Sequence, residues 1–139
     1  MIKYKVIPRK NMLTDQVLLY GQIVEEGVIG LNDLADEIQT TSTVTRADIL
    51  AVLADLENVI AKTLRNGKGV KLGDLGSFRP TIKGSGVEEK ADYESSLIRK
   101  VNVVFIPSTK MKYNLSPKNP FVQFKNVTPQ PEDDPDDGE

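Results

Sequence analysis

The hydrophobic and polar positions change their period along the chain, and these changes mark out the elements. Residues 2–7 alternate apolar residues with lysine, which predicts a half-buried strand, and residues 17–24 form a second β-rich run. Pro8 either ends the first strand or marks a sheet edge, because proline has no amide hydrogen to donate. The two strands are predicted to pair through a loop at about residues 10–16.

Two helices are predicted next, because the apolar period becomes helical. Gly30 opens a short first helix. Thr45 and Asp48 resemble a capping box at the start of a helix of about 20 residues, which ends at Asn66-Gly67. Its stripe is wide enough to indicate two apolar surfaces, one for the protein's own sheet and one for a partner. The stripe comprises Ile49, Val52, Leu53, Leu56, Val59, Ile60 and Leu64.

A hairpin and an arm follow the second helix. Gly73 and Gly76 bracket a tight reversal between residues 70–72 and 77–83, which predicts a hairpin. Residues 84–99 have no apolar period and are rich in glycine, serine and charge. A mobile arm or a long loop is therefore expected there.

The last third of the chain is predicted to alternate strand, helix and loop. Residues 101–106 form a strong strand, and Ser108 is placed to cap a short helix toward Leu115. Residues 121–124 form a last short strand. The stretch 128–139 cannot bury apolar surface, so it is predicted to be a disordered acidic tail.

The net charge of −2 conceals a strong segregation of charge along the chain. Residues 1–10 carry +4, residues 11–61 carry −8, residues 62–112 carry +6, residues 113–128 carry +2 and residues 129–139 carry −6. Segregation of this kind is more informative than the total. The basic middle stretch is either a phosphate-facing surface or simply a solvated one.

The chain has no cysteine and no histidine. Disulfides and thiolate zinc sites are therefore excluded, and the usual general base and the commonest zinc ligand are missing. We expect no catalytic residues, no metal, no cofactor and no small-molecule substrate. No run approaches the ~20 apolar residues of a membrane span, and the start does not resemble a signal peptide, so the cytoplasm is expected.

Residues 69–78 (GVKLGDLGSF) resemble the strand–glycine–strand signature of the HU/IHF family of bacterial histone-like proteins. Phe105 and Pro107 stand where that family has a Phe and a Pro after its arm. The resemblance covers about residues 30–115, and the chain is similar to the divergent HU-like proteins of Bacteroidetes-type bacteria. It implies an α+β, HU/IHF-like fold with a helical base, a β-saddle and an arm, in an intertwined dimer.

The resemblance implies three segments. Residues 1–29 would be an added amino-terminal β-hairpin packed on the core, residues 30–127 the HU/IHF-like DNA-binding domain, and residues 128–139 the tail. The function implied is sequence-tolerant binding of double-stranded DNA through backbone and minor-groove contacts. A nucleoid-associated homodimer that condenses DNA is thus expected in the cytoplasm.

The expected DNA contacts are basic residues of the hairpin, of the end of the arm and of the short helix. Arg79 and Lys83 share strand parity, so their side chains leave on one face. The other four are Arg99, Lys100, Lys110 and Lys112.

The arm lacks the proline that wedges between base steps in this family, so weak or no bending is expected. The alternative is an interaction or scaffold protein that kept the HU fold and lost DNA binding. The acidic arm and Ile106, where the family usually has a basic residue, favour that alternative.

Overall fold

The computed structural model of the protein describes residues 1–130, which form two units. One unit contains residues 1–28 together with residues 116–130, and the other contains residues 29–115. The predicted α+β class is confirmed. In chain order the elements are β1 (Ile2–Lys10), β2 (Val17–Ile23), α1 (Leu31–Thr41), α2 (Arg46–Arg65), β3 (Val70–Leu72), β4 (Gly76–Gly84), β5 (Ile98–Pro107), α3 (Thr109–Asn114) and β6 (Phe124–Asn126). The acidic stretch of the predicted tail, residues 131–139, lies outside the described residues.

The first unit contains a sheet of order β2-β1-β6, which we call the amino-terminal sheet. β1 and β2 form the predicted antiparallel hairpin, and β1 continues through Pro8, which lies opposite Leu19. The carbonyl of Tyr4 and the amide of Val6 bond to residues of the β6 side, away from β2. The backbone groups of alternate residues in a strand point to the same side, so the backbone of Pro8 also faces away from β2. Its missing amide hydrogen therefore leaves no gap in the hydrogen bonds between β1 and β2.

The last strand begins later than predicted. The sequence indicated a strand at 121–124, but β6 starts at Phe124, because Asn119 holds the preceding residues in a turn. Its carboxamide and carbonyl oxygens each accept a hydrogen bond of 3.0 Å from an amide two or three residues on. β6 pairs in parallel with β1, with Ile2 opposite Phe124. This pairing joins the end of the described chain to its beginning.

α1 and α2 occupy the predicted positions. Thr45 Oγ1 accepts a hydrogen bond of 3.3 Å from the amide of Asp48 at the start of α2. Gly67, just after the end of α2, has φ of +75°, as the left-handed cap requires. Arg46 Nε donates to Asp36 Oδ1 at 2.6 Å, which joins the start of α2 to α1.

The second unit contains a sheet of order β3-β4-β5, which we call the central sheet. The predicted hairpin is present, and the amide of Leu75 closes its turn by donating to Leu72 O at 2.9 Å. β5 starts at Ile98, three residues earlier than predicted, because its pairing with β4 continues past a bulge to Gly84. The arm is therefore a loop between the two strands, with 3₁₀ turns at 90–92 and 95–97.

The apolar stripe of α2 is only partly covered. α2 packs against β3 and β4, and the rings of Phe78 and Phe105 meet with centroids 5.1 Å apart on the face below it. Within residues 1–130, Ala35 and Ile49 are nevertheless the only apolar side chains that are buried. A set of large apolar side chains is left open to solvent around α2.

Candidate nucleic-acid interface

The register of β4 and β5 sorts the side chains of the central sheet by face. Phe78 lies opposite Phe105, and Pro80 lies opposite Val103. Residues that are directly opposite project to the same face, so these four lie together. Three of them, Phe78, Pro80 and Val103, line an open apolar groove together with residues of α2. This face therefore belongs to the helical side of the unit.

The opposite face of the central sheet is basic. Lys83 lies opposite Lys100, and Arg79 is on the same side of β4, four residues away. Lys71 lies opposite Ser77 in β3, which places it on this face as well. We call Lys71, Arg79, Lys83 and Lys100 the central basic face.

The central basic face is exposed and carries no neutralising charge. All four of its bases are exposed, and none of them forms an ion pair with another residue of 1–130. The remaining positions of that face in β4 and β5 are neutral: Ser77, Thr81, Asn102, Val104 and Ile106. The stem of Arg79 passes close to Gly69, where an added methyl group would lie 3.7 Å from its Cγ. The result is a strip of positive charge along a regular backbone.

Three of the six predicted residues, Arg79, Lys83 and Lys100, are brought together on this face. Lys71 is a fourth base that the sequence analysis did not single out. The face to which Lys71 projects could have been derived from the predicted hairpin, because the turn fixes which residues of β3 and β4 are opposite each other.

Arg99 does not belong to the face. The pairing passes from Lys83–Lys100 to Gly84–Ile98, so Arg99 is the extra residue of a bulge. Its Nη2 donates to Ser85 Oγ at 2.6 Å, which ties the two ends of the arm together. Its guanidinium stays exposed at the edge of the sheet.

Lys110 and Lys112 lie at the other end of the sheet. α3 begins after Pro107, which is opposite Gly76, and Lys83 is seven residues further along β4, or ~23 Å at about 3.3 Å per residue. Lys110 Nζ is 3.5 Å from Asp74 Oδ2, which partly neutralises it. The predicted cap of α3 is confirmed, because Ser108 Oγ accepts from the amide of Met111 at 3.0 Å.

The arm has the opposite charge. Four carboxylates stand in it against Lys90, at Glu88, Glu89, Asp92 and Glu94. In the part of the chain that the structure describes, no three carboxylates, here or elsewhere, are grouped closely enough to hold a metal ion. None of the helices found in residues 1–130 is both long and apolar enough to cross a membrane.

The order of elements defines an HU-like domain. It consists of a pair of helices, a glycine-flanked hairpin, an arm, and a returning strand followed by a short capped helix. The chain belongs to the HU-HIG family, described as "HU domain fused to wHTH, Ig, or Glycine-rich motif", whose model matches residues 1–122. The match begins at residue 1 and so includes β1 and β2. The predicted HU relationship is confirmed.

The fold also has a solved counterpart. A candidate bacterial DNA-binding protein from Bacteroides vulgatus has a similar structure, with a TM-score of 0.67 and 14% sequence identity. The similarity covers 94% of this chain and 50% of that chain, so this chain spans about half the length of its neighbour. No curated protein matches the sequence significantly.

Proposed function

We propose that the chain binds duplex DNA with little sequence preference, as a nucleoid-associated homodimer of histone-like type. The observation that carries the proposal is the central basic face, which has four exposed bases and no carboxylate on its described strands. Lysine and arginine neutralise phosphates and release condensed counterions, and this supplies most of nonspecific affinity for DNA. Membership of the HU-HIG family and the name of the Bacteroides neighbour support the same function.

Contacts with the backbone are favoured over base reading. Bases are read in the major groove mainly by Arg, Asn or Gln on an inserted helix or ribbon. Here α1 and α2 carry six acids against three bases, so a duplex would be repelled from the helical side. The sheet side offers mainly lysine, which acts as a point charge and carries little sequence information.

The homodimer accounts for the apolar surface around α2. Val52 and Val59 of α2 are 66% and 53% exposed, and Val101 and Val103 of β5 are 61% and 55% exposed. Apolar patches of this kind on a small domain mark an interface. The groove between α2 and the central sheet is lined by side chains of both, including Leu64, so a second copy could insert an equivalent apolar element there.

Sedimentation velocity tests the dimer. A dimer is expected at micromolar concentration, and Val52→Asp with Val59→Asp should abolish it. Folded, monodisperse monomer in the unsubstituted protein would contradict the proposal.

Salt-dependent gel-shift titration with a nonspecific duplex tests the DNA contact. Replacing Arg79 and Lys83 by alanine should lower the slope of log affinity against log salt by about 0.9 for each lost phosphate contact, or about 1.8 per subunit. The matched control removes two exposed bases elsewhere in the same unit, Lys62 and Lys90, and should leave the slope nearly unchanged. Unrelated duplexes should bind within a few-fold of one another.

The second candidate function is an interaction or scaffold protein that retains the fold without DNA binding. The observation in its favour is the arm with its four carboxylates, which sits at the Lys83–Lys100 end of the central sheet. No binding of the unsubstituted protein to duplex at 50 mM salt would favour this candidate.

A further inference from the structure

A second group of bases occupies one face of the amino-terminal sheet. Lys3, Lys5 and Arg9 alternate along β1, and Lys125 of β6 is paired with Lys3. Alternate residues of a strand, and residues directly opposite on the neighbouring strand, project to the same face. We call these four residues the amino-terminal basic face.

This face carries excess positive charge. Glu26 pairs with Lys3, and the hydrogen bond and the charge of Lys3 hold the pKa of Glu26 below its usual range. The other three bases form no ion pair with any residue of 1–130. Three positive charges are thus held on one side of a regular sheet without a carboxylate to neutralise them.

The other face of the same sheet differs in character. Lys10, the next residue after Arg9, projects to that side and is neutralised by Asp15 at 3.1 Å. Tyr4 lies there over Gly21, at a distance of 3.6 Å from where a methyl group would stand. The excess charge is therefore a property of one face and not of the strand as a whole.

The neutral residues of the amino-terminal basic face restrict the class of nucleic acid that it can bind. Lys5 lies opposite Gln22, and Ile7 lies opposite Tyr20, so one amide and one phenol accompany the bases. Binding of single strands relies on aromatic rings on which bases stack. Tyr20 is the one aromatic that the register of β1 and β2 places on this face, and the Arg9 guanidinium lies over its ring at 5.9 Å. Tyr20 is 45% exposed, but one ring does not make the row of aromatic platforms on which successive bases of a single strand stack.

We propose that the amino-terminal basic face is a second contact surface for the phosphate backbone of duplex DNA. Lys3 and Lys5 are two residues apart, about 6.6 Å along β1, and Lys5 and Arg9 are four residues apart, about 13 Å. A row of this length suits several phosphates and is too long for a single small anion. This inference rests on the proposed function, because it assigns a second surface of the protein to the same ligand. It enlarges the DNA footprint beyond the central sheet.

The test is the salt dependence of binding by the full chain with Lys5→Ala and Arg9→Ala. Loss of two phosphate contacts per subunit should reduce the slope of log affinity against log salt by about 1.8. Between 50 and 200 mM salt, the affinity of the variant should therefore fall about tenfold less per subunit than the affinity of the unsubstituted protein. Two controls accompany it. Lys10→Ala removes a base of the same strand on the opposite face and should not change the slope. Lys5→Arg with Arg9→Lys keeps both charges and should retain the slope.

The outcomes separate this inference from the proposed function. If the unsubstituted protein does not bind duplex at all, both fail. If the slope responds to Arg79→Ala with Lys83→Ala but not to Lys5→Ala with Arg9→Ala, only the second surface is overturned. Tighter duplex binding by Lys5→Ala with Arg9→Ala would show that these two bases do not contact phosphates, and would also overturn the proposal.

Discussion

Replacement of Gly76 by alanine should strongly destabilise the fold. Gly76 has φ of +155°, and an added Cβ would collide with the carbonyl oxygen of Ile106 and lie 2.8 Å from two ring carbons of Phe105. A non-glycine residue in such a conformation costs about 1–3 kcal/mol, and forcing atoms into a packed site costs a further ~1–3 kcal/mol. We expect the free energy of unfolding to fall by about 2–6 kcal/mol, measured by urea denaturation followed by circular dichroism.

Gly67→Ala is the matched control. Gly67 also has a positive φ, +75°, but an added Cβ would meet no atom within 4 Å. Only the backbone strain applies there, and it amounts to about 1–2 kcal/mol. Both variants must be compared at one protein concentration, because dimer stability depends on it. Equal losses for the two variants would refute the close approach of β4 to β5 at Gly76.

Three further outcomes are expected. Thr45→Ala should lower the free energy of unfolding by about 1 kcal/mol in the same assay, because the amide of Asp48 loses its acceptor at the start of α2. Lys3→Met should raise the pKa of Glu26 toward its ordinary value in an NMR titration. In the unsubstituted protein the Lys3–Glu26 ion pair contributes to stability at pH values above the ordinary pKa of Glu26, and this contribution is lost as the pH falls through the lowered pKa. Bound protein should bend the duplex little. Fluorescence energy transfer between dyes at the two duplex ends should therefore give nearly the same end-to-end distance with and without the protein.

The sequence predicted best the elements whose signals are local. α2 is the clearest example, because its apolar period lies within the helix and its capping residues, Thr45 and Gly67, lie directly beside its ends. The central hairpin was predicted for the same reason, since its turn is formed by adjacent residues. Two of the six predicted contact residues, Arg79 and Lys83, lie in that hairpin.

The errors concern features that depend on distant pairing. The start of β5 at Ile98 is fixed by its ladder with β4, and β6 exists because Ile2 offers it a partner at the other end of the chain. Arg99 is the extra residue of a bulge opposite Gly84, and its guanidinium bonds to Ser85 across the base of the arm. No periodicity within one segment carries this information.

The expectation of an unbent duplex follows from how the arm is closed. Wedge bending costs a few kcal/mol for each unstacked base step, which the contacts of an inserted arm must offset. Here the Ser85 amide donates to Leu97 O at 3.2 Å, so the loop closes at its base. Beyond that point the arm presents four carboxylates to phosphates of the same sign. Tyr93, which is 43% exposed, is its one aromatic candidate for a wedge. A clear shortening of the end-to-end distance that disappears with Tyr93→Ala would show that the arm inserts despite its charge, and the electrostatic argument would then be wrong.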